Sequence, residues 1–312
     1  MKEYGTQADR HRAEARGGSA APTLPPAAPS IEAPKQARQV ERPVEVTRAV
    51  VLAGGLGTRM RPYTAVLPKP LLPLGDKPVL DIVLRQLKAA GFNRVTISTG
   101  YLAEVIEALF KSGSNYDLDI DYVREPQPLG TVGSLALLGD LDSPFLVMNG
   151  DVVTDLSYRD LVERHVASGA AATIATTHQH VQVSLGVLQF DDAADDGRLT
   201  GYVEKPRYEY EASMGVYCFS PNVLEYLRPG ERLDFPDLVL RLLAAGQEVR
   251  ACRTDAYWLD IGRHEDYERA CEAFEALRDR LLPDDPAPDP CRAERVVSHV
   301  QAPARARLPV RS

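Results

Sequence analysis

Long apolar runs are missing from this chain of 312 residues. Nothing in it approaches the roughly 18 apolar residues that a membrane-spanning helix needs, so no membrane partner is expected. A basic surplus is missing too. The formal charge of −8 at pH 7 argues against nucleic acid as a main partner, because a reader of the phosphate backbone needs a basic face. Smaller anions remain open, provided a few cations converge in one cleft. Cysteine is sparse: Cys218, Cys252, Cys271 and Cys291 are widely spaced and make no CxxC. With no recognisable signal peptide, the expectation is reduced thiols in a cytoplasmic protein rather than a disulfide frame or a zinc site. No internal repeat is visible.

What is present is an ordinary soluble composition, 44% hydrophobic, ample for a sizeable core. Residues 1–47 are rich in Ala, Pro, Arg and Glu without helix or strand period, and read as a disordered extension. Residues 283–312, with Asp284-Asp285-Pro286 and Asp289-Pro290, read as a disordered tail. Between them, 48–282 reads as one folded domain. Arg48–Ala53 is a short apolar run ending in glycines, the pattern of a buried parallel strand. A helix follows from Pro78, with Leu80, Leu84 and Leu87 on one face and Gly91 to end it. Strands are expected at 94–99, 120–124 and 145–148, with helices at 103–110 and 132–138. This alternation predicts an α/β protein with a Rossmann-like, doubly wound sheet. Further on, 172–177, 186–190, 199–204 and 215–219 read as strands with few helices between, so the sheet should become mixed. A final helix is expected near His264, burying Tyr267, Ala270, Cys271, Phe274 and Leu277.

The chemistry concentrates after the first strand, in LAGGLGTRMRPYTAVLPKPLLP over 52–73. Gly54, Gly55 and Gly57 fall at the carboxyl edge of the sheet, where open α/β folds bind ligands. Glycines there let backbone N–H groups approach phosphate oxygens. A Walker A loop would need Lys-Ser/Thr after Gly57, where Thr58-Arg59 stand. A dinucleotide fingerprint would need glycine or alanine at Met60 and an acid after the second strand, where Ser98-Thr99-Gly100 stand. Both are excluded. Arg59, Arg61 and Lys69 suit this loop to a triphosphate, and the prolines around Lys69 should hold it in a fixed extended segment. A glycine-rich turn with solvated cations is the plainer alternative.

This stretch resembles the signature GxGTRxxPxTxxxPK of the sugar-phosphate nucleotidyltransferases, through Gly55, Gly57, Thr58, Arg59, Pro62, Thr64, Pro68 and Lys69. Later segments resemble the family in the same order: Pro128-Leu129-Gly130-Thr131, Asn149-Gly150-Asp151, Glu204-Lys205-Pro206 and Trp258-Leu259-Asp260-Ile261-Gly262. The resemblance implies an enzyme that joins a nucleoside triphosphate to a sugar 1-phosphate and releases pyrophosphate. It implies a nucleotide site of Leu52, Ala53, Gly54, Gly55, Gly57, Thr58, Arg59, Lys69, Glu125, Gly130 and Thr131. It also implies a sugar-phosphate site of Gly186, Glu204, Lys205 and Ser213. Asp151 and Asp260 would hold Mg²⁺, and Arg59, Lys69, Asp151, Lys205 and Asp260 would carry the reaction.

The residues agree with that chemistry. Mg²⁺ takes one or two carboxylates plus phosphate oxygens, so two acids suffice, and a carboxylate at a buried strand end is costly unless paired or metal-bound. Either acid alone could be a cap or turn residue. No central base is required, because a phosphate monoester with a second pKa of about 6 is already a dianion at neutral pH. What opposes reaction is repulsion between two anions, so positioning and cations suffice. The His178-Gln179-His180 pair, with no third ligand evident, reads as a solvated strand face.

For the base, a carboxylate at Glu125 only accepts hydrogen bonds and suits the adjacent donors of guanine, so GTP is the best match. The PLGT segment resembles guanylyltransferases acting on mannose- or heptose-type phosphates. For the sugar, Ser213-Met214-Gly215 departs from the common Asn-Ala-Gly and resembles ADP-glucose pyrophosphorylases. A glucose-like hexose, a heptose or a cyclitol phosphate would fit, and adenylyl, uridylyl or thymidylyl transfer to glucose 1-phosphate is the alternative. No hexapeptide repeats follow residue 268, so a C-terminal β-helix domain is not expected. A homo-oligomer is open. Two other classes are the alternatives: a glycosyltransferase, which would want a DxD pair where Asn149-Gly150-Asp151 offers one acid, and a non-catalytic nucleotide-sugar sensor, which should have lost a reacting residue.

Overall fold

The computed structural model describes residues 47–191 and 197–282. Apart from Thr47, the extensions expected over 1–47 and 283–312 lie outside the described residues, as does Cys291. The elements run β1 (Arg48–Ala53), β2 (Pro73–Leu74), β3 (Lys77–Pro78), α1 (Val79–Ala89), β4 (Arg94–Thr99), α2 (Ala103–Phe110), β5 (Asp119–Arg124) and β6 (Phe145–Asn149). They continue β7 (Val152–Thr154), α3 (Tyr158–Ser168), β8 (Ala172–Gln182), β9 (Val187–Phe190), β10 (Leu199–Val203), β11 (Arg207–Phe219), α4 (Phe235–Ala244), β12 (Val249–Arg253), β13 (Trp258–Asp260) and α5 (His264–Leu281).

Seven strands form one sheet in the order β12-β8-β11-β6-β1-β4-β5. β1 pairs in parallel with both β4 and β6, and β4 with β5. β11 runs antiparallel to β6 and β8, while β12 is parallel to β8. The expected mixed, Rossmann-like sheet is therefore present, and among the described residues one strand of this sheet, β11, opposes the rest. Burial explains the centre: β1 is RAVVLA with Ala49, Val50 and Val51 fully buried, and Phe145, Leu146, Val147 and Met148 of β6 are equally so. Such two-sided apolar strands stack helices on both faces. The chain leaves β1 for β4 and β5 on one side and then crosses to β6 on the other. This places the switch in strand order between β1 and β6, where a crevice opens at the carboxyl ends.

Several local expectations change. The segment expected to be helical at 132–138 is a short 3-10 turn, Gly133–Leu137. Its backbone is tied instead to the chain before α4, with Val132 N donating to Leu233 O at 3.1 Å. β8 and β11 extend well beyond 172–177 and 215–219. Their outer halves, His178–Gln182 against Arg207–Glu211, are largely exposed; His178–Gln182 carries no apolar alternation, while Tyr208 and Tyr210 alternate with charged residues in β11. On α5 the buried positions are Ala270, Phe274, Arg278 and Leu281, and Cys271 is exposed. The stripe follows an i, i+4 line because the helix packs on the β2–β3 turn. A Cβ on Gly75 would stand 2.3 Å from the Phe274 ring, and the buried Arg278 guanidinium donates to Asp76 at 2.7 Å. Helices α3 and α4 were not among the expected elements, although Ser157 caps α3, Gly169 ends it, and Leu238 and Leu242 share the buried face of α4; the short ladder of β7 with β13 was not expected either. The ladder matters most for the site.

Candidate active site

Four strand ends meet at one edge of the sheet. β1 runs into Gly54, β4 into Gly100, β5 into Glu125, and β6 into Gly150 and Asp151. These loops pack so closely that a Cβ on Gly100 would meet Gly54 O at 2.8 Å, and one on Gly54 would meet Glu125 Oε1 at 2.6 Å. Gly150 N donates to Leu52 O at 2.9 Å, which locks the β6 end against β1.

The glycine loop turns at Gly57, whose φ of +60° is a left-handed conformation that side-chain-bearing residues resist. Thr64 fastens the turn, its hydroxyl donating to Gly57 O at 2.7 Å. Thr64 is 1% exposed. Thr58 and Arg59 stand exposed on the short 3-10 turn that follows. Lys69 departs from its expected extended segment: Pro68 is extended, but Lys69 begins another 3-10 turn. That turn swings its side chain inward, where it is 12% exposed. Gly54, Gly55, Leu56, Gly57, Thr58, Arg59 and Met60 line a cleft of about 390 Å³, together with Lys69, Pro128, Asp151 and Gly262.

Asp151 and Asp260 are brought to this cleft by the β7–β13 ladder. Asp260 is paired with Val152, the neighbour of Asp151, and Ile261 N donates to Asp151 O at 3.2 Å. The register is pinned at the far end, where Tyr257 N donates to Asp155 Oδ1 at 2.8 Å and the Thr154 hydroxyl donates to Tyr257 O at 2.7 Å. Both acids then converge on one ammonium. Lys69 Nζ contacts Asp151 Oδ2 directly and lies 3.8 Å from Asp260 Oδ1. Burial raises the pKa of Asp260, and the Asp151 charge adds to this; Lys69 and Arg59 oppose it. Asp151 Oδ1 is buried and receives no hydrogen bond.

Those last features are what a metal site requires: paired acids, one with an uncommitted buried oxygen, facing an open cleft. The donor set is all oxygen, which suits a hard divalent cation. Among the described residues no group of three or more His, Cys, Asp or Glu is arranged to hold a metal ion, so phosphate oxygens would have to complete the coordination.

The expected base loop is built into the scaffold. Glu125 accepts from Ser98 Oγ at 3.0 Å and from Leu129 N at 2.9 Å, and each of its oxygens keeps a second lone pair. Gly130 has φ +79°, and a Cβ there would meet Leu233 O at 2.5 Å. The Thr131 hydroxyl accepts from Phe235 N at 2.7 Å, capping α4, and Thr131 N donates to Asp234 Oδ1 at 3.1 Å. Thr131 is thus engaged with the protein at both groups.

The expected sugar-phosphate residues divide. Ser213 lies at a bulge in β11 that packs onto the Asp151 segment. Gly215 of that bulge has φ +72°, and a Cβ on it would meet Asn149 Nδ2 at 2.7 Å. Ser213 Oγ donates to the Tyr217 hydroxyl at 3.3 Å, and Trp258 Nε1 holds Met214 O at 2.8 Å. Glu204 and Lys205 instead occupy the exposed turn between β10 and β11. Lys205 Nζ is 3.9 Å from Glu204, and no ion pair joins it to the Lys69–Asp151–Asp260 group among the described residues. The space beside Gly186, one of the expected sugar-phosphate residues, is taken by the Tyr202 ring, whose hydroxyl would lie 2.0 Å from a Cβ there and donates to Glu204 Oε2 at 2.9 Å.

Sequence reasoning passed over the residues that hold these groups. Thr64 stood inside the signature and could have been found there. Ser98, Asp155 and Asp234 stand alone in sequence, with partners far away in the chain, whereas Tyr202 stands two residues from Glu204.

A phosphate-type glycine loop, a carboxylate pair and a lysine at the switch point of an α/β sheet define a class of anion-handling transferase folds. The model of the nucleotidyl transferase family matches residues 48–276, and the chain belongs to that family. It is 34% identical over 243 residues to a UTP–glucose-1-phosphate uridylyltransferase of Synechocystis, covering 72% of this chain and 62% of the relative. It is 34% identical over 245 residues to the mannose-1-phosphate guanylyltransferase catalytic subunit beta of Drosophila pseudoobscura pseudoobscura, covering 76% and 65%. The chain thus spans less than two thirds of the length of these relatives. The crystal structure of HddC from Yersinia pseudotuberculosis complexed with GMP-PN superimposes with a TM-score of 0.56 at 28% identity, covering 73% of this chain and all of that one.

Proposed function

We propose that the protein is a sugar-1-phosphate nucleotidyltransferase. A phosphate oxygen of the sugar 1-phosphate attacks the α-phosphorus of a nucleoside triphosphate, the bond to the bridging oxygen of the β-phosphate breaks, and pyrophosphate leaves. The observation that carries this reading is the convergence of Asp151, Asp260 and Lys69 beside the glycine loop. A divalent ion, Mg²⁺ in our reading, would be held by Asp151 and Asp260 and would neutralise charge on the reacting phosphates. The glycine loop offers backbone N–H groups to the triphosphate, with Leu52 and Ala53 delivering it from β1. Arg59 and Lys69 hold the β- and γ-phosphates and offset the charge that builds on the leaving pyrophosphate. No side chain has to remove a proton, because the attacking phosphate is already ionised.

Lys205 is assigned to the phosphate of the incoming sugar, Glu204 to its hydroxyls, and Ser213 to the ring from the β11 bulge. Since Lys205 stands on an exposed turn, the arm that carries it must reach the cleft when the sugar phosphate binds. GTP is our preferred nucleotide. Glu125 retains acceptor capacity for the paired donors of guanine, and both the Drosophila relative and the HddC complex carry guanine in their names. The uridylyltransferase relative keeps UTP with glucose 1-phosphate as the second reading. The acceptor is proposed to be a hexose, heptose or cyclitol phosphate.

Pyrophosphate release measured across five triphosphates and a set of sugar 1-phosphates tests this. Release with GTP well above the others is the expected result. Equal rates would overturn the role given to Glu125, and no release with any pair would overturn the transfer itself.

A further inference from the structure

We propose that the Lys69 ammonium is the resident counter-ion of the Asp151–Asp260 pair, and that a divalent cation enters by exchanging with it. The inference rests on the metal reading of the pocket given above and adds an order of events to it.

Lys69 Nζ occupies the place a shared ion would use: in contact with Asp151 Oδ2 and 3.8 Å from Asp260 Oδ1. The Lys69 side chain is 12% exposed and that of Asp151 22%, so water screens this contact little, whereas Asp260 is 44% exposed and holds the ammonium more weakly. Two cations cannot both sit against the same carboxylate oxygen, because at about 4 Å their repulsion cancels much of what each gains. Asp151 Oδ1, buried and without a donor, gives an arriving cation a first foothold that Lys69 does not contest. The flexible four-carbon stem of lysine can then swing the ammonium away while its backbone stays in the turn set by Pro68 and Pro70. The cleft side of that swing is the glycine loop, where the triphosphate is proposed to lie.

The functional consequence is a coupling. Without the divalent ion, Lys69 is held by the acids and is withheld from phosphate. Once the ion is in place, Lys69 becomes a phosphate ligand, so metal and triphosphate should each strengthen the other's binding, as linkage requires.

Mn²⁺ titrated into the full chain without nucleotide, followed by electron paramagnetic resonance, reads this directly. Lys69→Met should bind Mn²⁺ about tenfold more tightly than the parent, the size expected when a competing charge at contact is removed. Equal or weaker binding overturns the exchange. Mn²⁺ binding unchanged by Asp151→Asn would overturn the exchange and the metal reading together. Because Lys69→Met leaves like charges unpaired and could disturb folding, a second readout uses the unaltered protein. Acetylation of Lys69 by a water-soluble N-hydroxysuccinimide ester, followed by peptide mass spectrometry, should quicken when Mn²⁺ is added. An unchanged or slower rate overturns the exchange. Both readouts stand apart from turnover, so failure of the triphosphate panel would remove the transfer reading without deciding either of them.

Discussion

The cleft at the switch point and the arm built from the outer halves of β8 and β11 with β9 and β10 are held in opposite ways. Around the cleft, the exposed Thr58 and Arg59 apart, the fold fixes the expected residues: Gly57 by Thr64, Glu125 by Ser98 and Leu129, Asp151 and Asp260 by Lys69 and the β7–β13 ladder. On the arm, Glu204 and Lys205 are more than half exposed and lean chiefly on each other and on Tyr202. The arm also exposes Leu185, Leu188, Phe190, Tyr202, Tyr208 and Tyr210. Preorganised charge is what stabilises a transition state, and elements with few buried contacts are those that move. Under the proposed function, the rigid half handles the triphosphate and the loose half brings Glu204 and Lys205 to the acceptor.

Substitutions can break or sharpen that contrast. Asp151→Asn strikes the rigid half hardest and should lower kcat by about a thousandfold, the upper range for losing one electrostatic contact at a reacting centre. A pyrophosphate-release assay checks it, and retention of more than a tenth of the parent rate would contradict the assignment. Lys205→Ala strikes the loose half. It should raise KM for the sugar phosphate about tenfold to a hundredfold, the range for a lost hydrogen bond to a charged group, while the melting temperature and KM for the triphosphate stay put. A comparable rise in both KM values would mean that the two halves are one.

Asp260→Asn separates function from stability. The folded pKa of Asp260 is raised above its ordinary 3.8, so the folded state holds this proton more tightly than the unfolded chain. Its stabilising contribution is complete below the ordinary value and is lost as pH rises through the folded one. At neutral pH the ionised acid is therefore a burden, and Asn should raise the melting temperature while turnover collapses. The gain should vanish in melts recorded below pH 3.8, and a lower melting temperature at pH 7.5 would refute it. Tyr202→Phe is the mildest. It removes the hydroxyl that donates to the exposed Glu204 carboxylate and should raise Kd for the acceptor by about threefold, the size of a weak, solvent-screened hydrogen bond. Isothermal titration with the sugar phosphate would show it.

The central layer could be read from the chain because β1 and β6 are apolar on both faces and end in glycine. The outer half of β8 could not, since His178-Gln179-His180-Val181-Gln182 has no apolar alternation, whereas Arg207-Tyr208-Glu209-Tyr210-Glu211 of β11 does alternate. Cys271 was misplaced for a related reason: periodicity finds a stripe, but the β2–β3 turn decides where along the helix surface that stripe falls.

By itself the sequence determined the glycine loop and its cations from residue type and strand-end position, and the family resemblance of its motifs pointed to Asp151 and Asp260. It could not determine that Asp151 and Asp260 share one lysine, that Glu125 and Thr131 already have protein partners, or that Lys205 stands on an exposed arm. Those are distances between atoms far apart along the chain. They are set by a ladder of three residue pairs between β7 and β13 and by the bulge in β11, and they exist only once the sheet has closed.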